Sequence, residues 1–302
     1  MKKLILFILI LILITAGCNK ETTINRPTPK ENINKVPTIN MKPLKMVYIT
    51  GGSKTYMSEG LQMLAEYLTN KTGIPIEFTM LKKYPDAIKD FKEKKVDMGF
   101  LSGLIYITVK KDINIIPLVT SLNEGEASYV SFLVVRSDSG IKTLKDLKGK
   151  KFSFINKEST SGYLIPRVMF AEDGVKKPSE YFSKIEFSPD HLSSMIAVYN
   201  GYVDGGIVSK SVFTSKEAEK YIKDLHVVMK TEKIPQGCIV VRGDLEPDYV
   251  KKLKEALLEV GKTSDTIEIK RKLRIDGYVE AKDSDYKRIR EIVKKNEELG
   301  DL

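Results

Sequence analysis

The sequence predicts an α/β fold of two lobes with mostly parallel sheets, and three observations predict it. Short apolar runs of strand length alternate with stretches whose apolar residues recur at helical spacing, the grammar of βαβ units. Of 302 residues, roughly 260 follow a leader and a polar tether, enough for two modest cores or one large one. Beyond residue 236 the alternation weakens to a strand and two helices, and such a tail fits two lobes better than one sheet.

The elements follow in order. Met46–Ile49 reads as a strand, and Gly51-Gly52 lead into a helix over 58–70 whose Leu61, Leu64, Ala65 and Leu68 share one face. Ile76–Phe78 is a strand, 85–94 a helix and Val96–Phe100 a third strand. Tyr129–Arg136 is a strong strand, and a helical turn over 144–149 ends in glycine. Lys151–Ile155 is a strand whose loop, 156–161, enters a helix over 162–173 that Pro166 is expected to bend. Strands at Ile185–Phe187 and Val203–Val208 flank a helix over 191–200. The tail holds a strand, Gly237–Arg242, and helices over 246–260 and 284–298. Cys238, in an apolar run, reads as a small buried strand residue.

The first residues address the chain. Lys2 and Lys3 precede an uncharged apolar run, Leu4–Ile14, and the small residues Ala16 and Gly17 precede Cys18. The run is too short to span a bilayer comfortably, so residues 1–17 read as a cleaved signal peptide. A cysteine at the first mature position resembles the bacterial lipobox, which implies lipidation of Cys18 and attachment to the outer face of a membrane. Residues 18–43 are rich in Asn, Thr, Pro and Lys without an aromatic residue. Such a segment cannot bury enough surface to offset its ordering entropy and is expected to be a flexible tether.

The formal charge is +10. Lys2, Lys3 and the tether, with five basic and two acidic residues after Cys18, carry half of it, leaving the folded part near +5. That excess is dispersed through Lys/Glu-rich helices, so nucleic-acid binding is not expected. No cofactor, metal or catalytic motif stands out: two histidines, no Gly-x-Ser-x-Gly elbow and no phosphate-cradling glycine loop point to a binder rather than an enzyme.

The most informative segment is Ser159-Thr160-Ser161-Gly162-Tyr163, three hydroxyls between a strand and a helix. A helix start offers unpaired N–H groups and a partial positive charge, and hydroxyls beside it can donate to an oxyanion. An ordinary helix cap explains one hydroxyl equally well. Ser53–Tyr56 and Ser102-Gly103 with Tyr106 also follow strands, at the end where ligands bind in open α/β sheets. His191, preceded by Asp190, reads either as an oxyanion donor in a cleft or as a surface histidine. Asp204 reads either as an acid within a strand that shares a proton with a ligand oxygen, or as a turn residue ahead of it.

Residues 44–297 resemble the PhnD-like phosphonate-, phosphite- and phosphate-binding proteins of ABC transporters. The resemblance rests on Ser137–Ile141 with Asp146–Lys150, on Ser159–Pro166, and on His191 followed by Ala197–Asp204. Ile234–Gly237 and Arg242–Leu245 complete it. It implies a type II periplasmic-binding fold, with lobe 1 over 44–133 and 233–302, lobe 2 over 134–232, and two crossover segments between them. It further implies a monomer that closes on a small oxyanion and delivers it to an ABC permease and its ATPase. Ser159, Thr160, Ser161, His191, Tyr106 and Tyr56 would contact the anion, and Asp204 would accept from a ligand hydroxyl. Leu192 stands where many relatives place an acid, and Gly99–Tyr106 lacks their aromatic-Gly-Pro pattern. These departures favour phosphite or phosphate as much as an aminoalkyl phosphonate. A sensory or accessory lipoprotein on the same fold, without a dedicated importer, is the alternative.

Overall fold

The computed structural model describes residues 42–49, 57–81 and 84–300. Cys18, the leader, the tether up to residue 41 and Tyr56 lie outside the described residues.

Lobe 1 begins with β1 (Leu44–Ile49), α1 (Met57–Thr72), β2 (Ile76–Leu81), α2 (Tyr84–Lys92), β3 (Met98–Leu101), α3 (Gly103–Asp112) and β4 (Ile115–Leu122). The short β5 (Ser128–Tyr129) leads into lobe 2, built from β6 (Ser131–Arg136), β7 (Lys151–Ile155), α4 (Ile165–Glu172), α5 (Pro178–Tyr181), β8 (Lys184–Ser188), α6 (His191–Tyr199), β9 (Gly205–Ser209), α7 (Lys210–Phe213), α8 (Glu219–Ile222) and β10 (Leu225–Lys230). The chain returns through β11 (Ile234–Pro235) and completes lobe 1 with β12 (Cys238–Arg242), α9 (Pro247–Glu259), α10 (Ile267–Leu273), β13 (Gly277–Glu280) and α11 (Lys287–Glu298).

The lobe 1 sheet has the order β13-β4-β12-β3-β1-β2, and the lobe 2 sheet β10-β6-β9-β7-β8. The pairings run four strands of the first sheet (β1–β4) and four of the second (all but β6) in one direction, so both are mostly parallel. The crossovers β5 and β11 pair antiparallel, Tyr129 opposite Ile234. This explains why the strand expected over Tyr129–Arg136 breaks at Val130: its start belongs to the crossover ribbon and its remainder to the lobe 2 sheet.

Helices cover both faces of each sheet. Leu61, Leu64 and Leu68 of α1 join Leu253 and Leu257 of α9 on one face of the lobe 1 sheet. On the other face, Ile105 and Tyr106 of α3 and Ile289 and Ile292 of α11 form a core that also takes Leu164, Ile165 and Val168 from lobe 2. Each such fully buried aliphatic side chain contributes about 1.5–3 kcal/mol. Arg167 of α4, 1% exposed, donates to the carbonyl of Gly300 beyond the end of α11 at 2.7 Å. The lobes thus share packed side chains as well as two crossovers. Cys238 is buried in β12, and burial pushes its thiol up to about 12, consistent with an inert core residue.

Candidate functional site

The Ser-Thr-Ser-Gly loop leaves β7 at Ile155 and folds into a wide π-helical turn, Thr160–Leu164, ahead of α4. Ser159 organises it. Its hydroxyl accepts from Gly162 N–H at 3.0 Å, and its carbonyl takes Tyr163 N–H at 3.2 Å and Leu164 N–H at 3.0 Å. A methyl group on Gly162 would lie 2.2 Å from Cγ1 of Ile155, so only glycine lets the loop press onto the end of the strand. Pro166 falls in the first turn of α4, where its missing N–H is tolerated, so the irregularity sits before the proline rather than at a bend beyond it.

Ser161, 4% exposed, places Oγ 3.2 Å from Nε2 of His191. His191 opens α6, which Asp190 caps by accepting Ser193 N–H at 2.8 Å. Gly206 lets α6 approach β9, since a methyl group there would lie 2.6 Å from Ser194 Oγ. Ser209 N–H then donates to His191 Nδ1 at 3.2 Å. With Nδ1 an acceptor, the ring proton belongs on Nε2, facing Ser161; the Ile207 carbonyl, 3.5 Å from Nδ1, is too distant to compete. His191 keeps some exposed surface, but the protein crowded around its ring pushes its pKa down to about 4.

A stability prediction follows. An unfolded histidine binds its proton near pH 6.5 and the folded one near pH 4, so between those values the unfolded state holds more protons. Stability is therefore fully present above about pH 6.5 and falls by up to a few kcal/mol as pH drops toward 4. Urea unfolding at pH 4.5, 5.5 and 7 should show this slope shrinking in His191→Gln.

Ser161 and His191 line a cavity of about 830 Å³ between the lobes. Ser209 and the crossover residues Tyr129 and Gln236 line it too, facing Tyr48, Phe100 and Tyr278 of lobe 1. Tyr129 shares a side-chain hydrogen bond with Ser161, and burial raises its phenol pKa. The lining thus holds neutral donors and aromatic rings, and it also carries the charged side chains Glu124, Asp276, Lys270, Arg271 and Arg274. Neutral donors strengthen when closure excludes water, which suits holding an anion. Among the described residues no group of three or more His, Cys, Asp or Glu side chains could hold a metal ion.

The residues expected from sequence do not all meet here. Ser161 and His191 do, while Ser159 shapes the loop behind them. Thr160, 2% exposed, accepts Leu104 N–H with Oγ1 at 2.9 Å, crossing to the start of α3 instead of lining the cavity. Tyr106 and Asp204 depart from expectation as well. Tyr106 is packed in the core at 4.7 Å from the Tyr286 ring and donates to Asp283 Oδ1 at 2.6 Å, because α3 turns it inward. Asp204 precedes β9 in a turn and accepts Lys151 N–H at 2.7 Å. Ser209 is the last of the five residues of β9, five steps along the strand from Asp204, roughly 16 Å at 3.3 Å per residue. Tyr56 lies outside the described residues. Sequence reasoning missed Tyr129, Ser209 and Gln236. Ser209-x-Ser211, at the carboxyl end of a strand, carried the signal already used for Ser159–Ser161, whereas Tyr129 reads as an ordinary strand aromatic.

Residues 46–286 match the family model of ABC transporter phosphonate periplasmic substrate-binding proteins. The chain belongs to this family. It is thereby a transporter's substrate-binding component, working outside the cytoplasm. A probable ABC transporter phosphite binding protein, PhnD1 of Prochlorococcus marinus, is 24% identical over 85% of the chain and 90% of its own length. The phosphate-import protein PhnD of Mycolicibacterium smegmatis is 29% identical over 63% of each chain. Among solved structures, PhnD1 in complex with methylphosphonate superimposes with a TM-score of 0.77 at 23% identity, covering 85% of this chain and 98% of that one. A binding protein component of an ABC phosphonate transporter from Pseudomonas aeruginosa reaches 0.75 at 21% identity, covering 85% and 87%. These likenesses support the type II periplasmic-binding fold, two lobes joined by two crossovers.

Proposed function

We propose that this family member is a lipid-anchored capture protein that holds a phosphorus oxyanion, such as phosphonate, phosphite or phosphate, in the cavity between its lobes. The observation that carries the reading is the Ser161–His191 pair, two neutral polar side chains in the cavity lining, with the imidazole proton placed on Nε2 by the N–H that Ser209 gives to Nδ1. The functions of the relatives, probable phosphite binding and phosphate import, support the ligand class. Tyr129 adds a phenol hydroxyl beside Ser161 in the same lining. The cavity is wide enough for a ligand carrying a small substituent against Tyr48, Phe100 and Tyr278. Lipid on Cys18 and the tether to residue 43 would keep the monomer near its permease and ATPase.

Calorimetric titration with phosphate, phosphite, methylphosphonate, aminoethylphosphonate and sulfate tests the ligand class. Binding of at least one phosphorus oxyanion in preference to sulfate is the expected result, and no heat from any of them defeats the reading. Tyr56→Phe tests the remaining side chain that the family resemblance assigns to the anion. Lipidation is tested separately. Cys18→Ser should move the protein from the membrane to the soluble fraction and abolish incorporation of labelled fatty acid; retained label would place the lipid elsewhere.

A further inference from the structure

The segment following Ser209 meets lobe 1 beside the cavity. It comprises α7 and the turn after it; Ser211 and Thr214 from it line the cavity, as do Glu124 and Arg274 of lobe 1. Two ion pairs join it to lobe 1. Lys210 pairs with Glu124. Glu217 takes a fork from Arg274, Nη2 to Oε1 at 2.7 Å and Nη1 to Oε2 at 3.3 Å. The lobe 1 partners sit on one ledge: Asn123 Nδ2 donates to the Arg274 carbonyl at 2.8 Å, and Gly125 N–H donates to Asp276 Oδ2 at 2.8 Å.

The backbone supplies a second, independent observation. Glu124 and Arg274 adopt left-handed conformations, φ 54° and 53°, and among the described residues Lys94 alone of the other non-glycines does so. Glycine relieves that strain by about 1 kcal/mol, and local stability alone would select it. Both positions instead carry a long charged side chain that reaches the other lobe. Arg274 also holds the Glu217 carboxyl down at about 2, so the pair persists through the neutral range.

We propose that Lys210–Glu124 and Glu217–Arg274 form a charged clasp that biases the lobes toward closure and slows escape of what the cavity holds. The bias on closure stands independently of any ligand; only the effect on escape rests on the proposed function.

The test uses the full chain in a Cys18→Ser background, with spin labels at exposed Lys176 in lobe 2 and Lys251 in lobe 1. Interlobe distances are measured without ligand. Glu124→Gly and Arg274→Gly should each shift the equilibrium toward longer distances by roughly two- to fivefold, with Tm unchanged or raised. Lys94→Gly, a left-handed residue paired with Asp244 inside lobe 1, should leave the distances alone. Exchanging the charges, Glu217→Arg with Arg274→Glu, should restore them. Unchanged distances in both glycine variants overturn the clasp, as does a fall in Tm that accounts for the shift or a charge exchange that fails to rescue. With methylphosphonate as probe, its dissociation rate should rise by the same factor. A clasp that responds in a protein that does not bind methylphosphonate would stand, and the methylphosphonate reading of the cavity would fall instead.

Discussion

His191→Ala is expected to weaken binding of the preferred phosphorus oxyanion by on the order of 10- to 100-fold, and Ser161→Ala by a similar factor. The size follows from charge-assisted hydrogen bonds, worth about 1.5–3 kcal/mol each. The two side chains lie 3.2 Å apart, so they belong to one network, and the double variant should lose less than the product of the single losses. Calorimetry at pH 7 measures it, where a histidine with its pKa near 4 is neutral. His191→Gln, which keeps an N–H donor of nearly the right reach, should recover part of the loss. Asp204→Asn and Tyr106→Phe should stay within about twofold of the parent, since neither side chain lines the cavity. Parent affinity in the Ser161→Ala/His191→Ala double variant would show that the anion binds elsewhere.

The same residues show what a sequence can and cannot carry. Alternation of short apolar runs with amphipathic helices located β1 to β3, β7 to β9 and α9 well, because an apolar run of strand length marks a strand covered on both faces, as in β7 and β9, and a one-sided apolar stripe marks a helix such as α9. It failed at α3, where Ile105, Ile107, Thr108 and Val109 favour strands by propensity. That helix lies between the sheet, α2, α11 and the lobe 2 loop, so it has no polar stripe to betray its period. At the site, local chemistry located Ser161 and His191, because a hydroxyl loop and a capped histidine helix announce themselves within a few residues. Whether a polar side chain faces the cavity or props up the loop is a matter of register. Thr160 and Ser161 are neighbours, yet one reaches across to Leu104 and the other to His191. For Asp204, a shift of the strand start from Val203 to Gly205 separates the two alternatives left open by sequence, and it places the acid at the far end of β9.

Gly162→Ala is expected to damage fold and site together. The added carbon would lie 2.2 and 2.4 Å from Cγ1 and Cβ of Ile155, and 2.9 Å from the Ser159 oxygen that caps the turn. Ile155 is 3% exposed at the end of β7 and cannot swing away, so the π-helical turn must lift. Overpacking of this kind costs about 1–3 kcal/mol, which for a chain this long lowers Tm by roughly 3–10 °C. Gly140→Ala separates strain from displacement. It places a side chain at φ +73° with nothing within 4 Å, so it should cost about 1 kcal/mol and leave affinity intact. Gly162→Ala should bind at least tenfold more weakly even at 25 °C, where the protein remains almost wholly folded. That loss would report the movement of Ser161 away from His191 rather than unfolding. A Gly162→Ala protein that melts early yet binds as tightly as the parent would mean that this loop does not hold the anion.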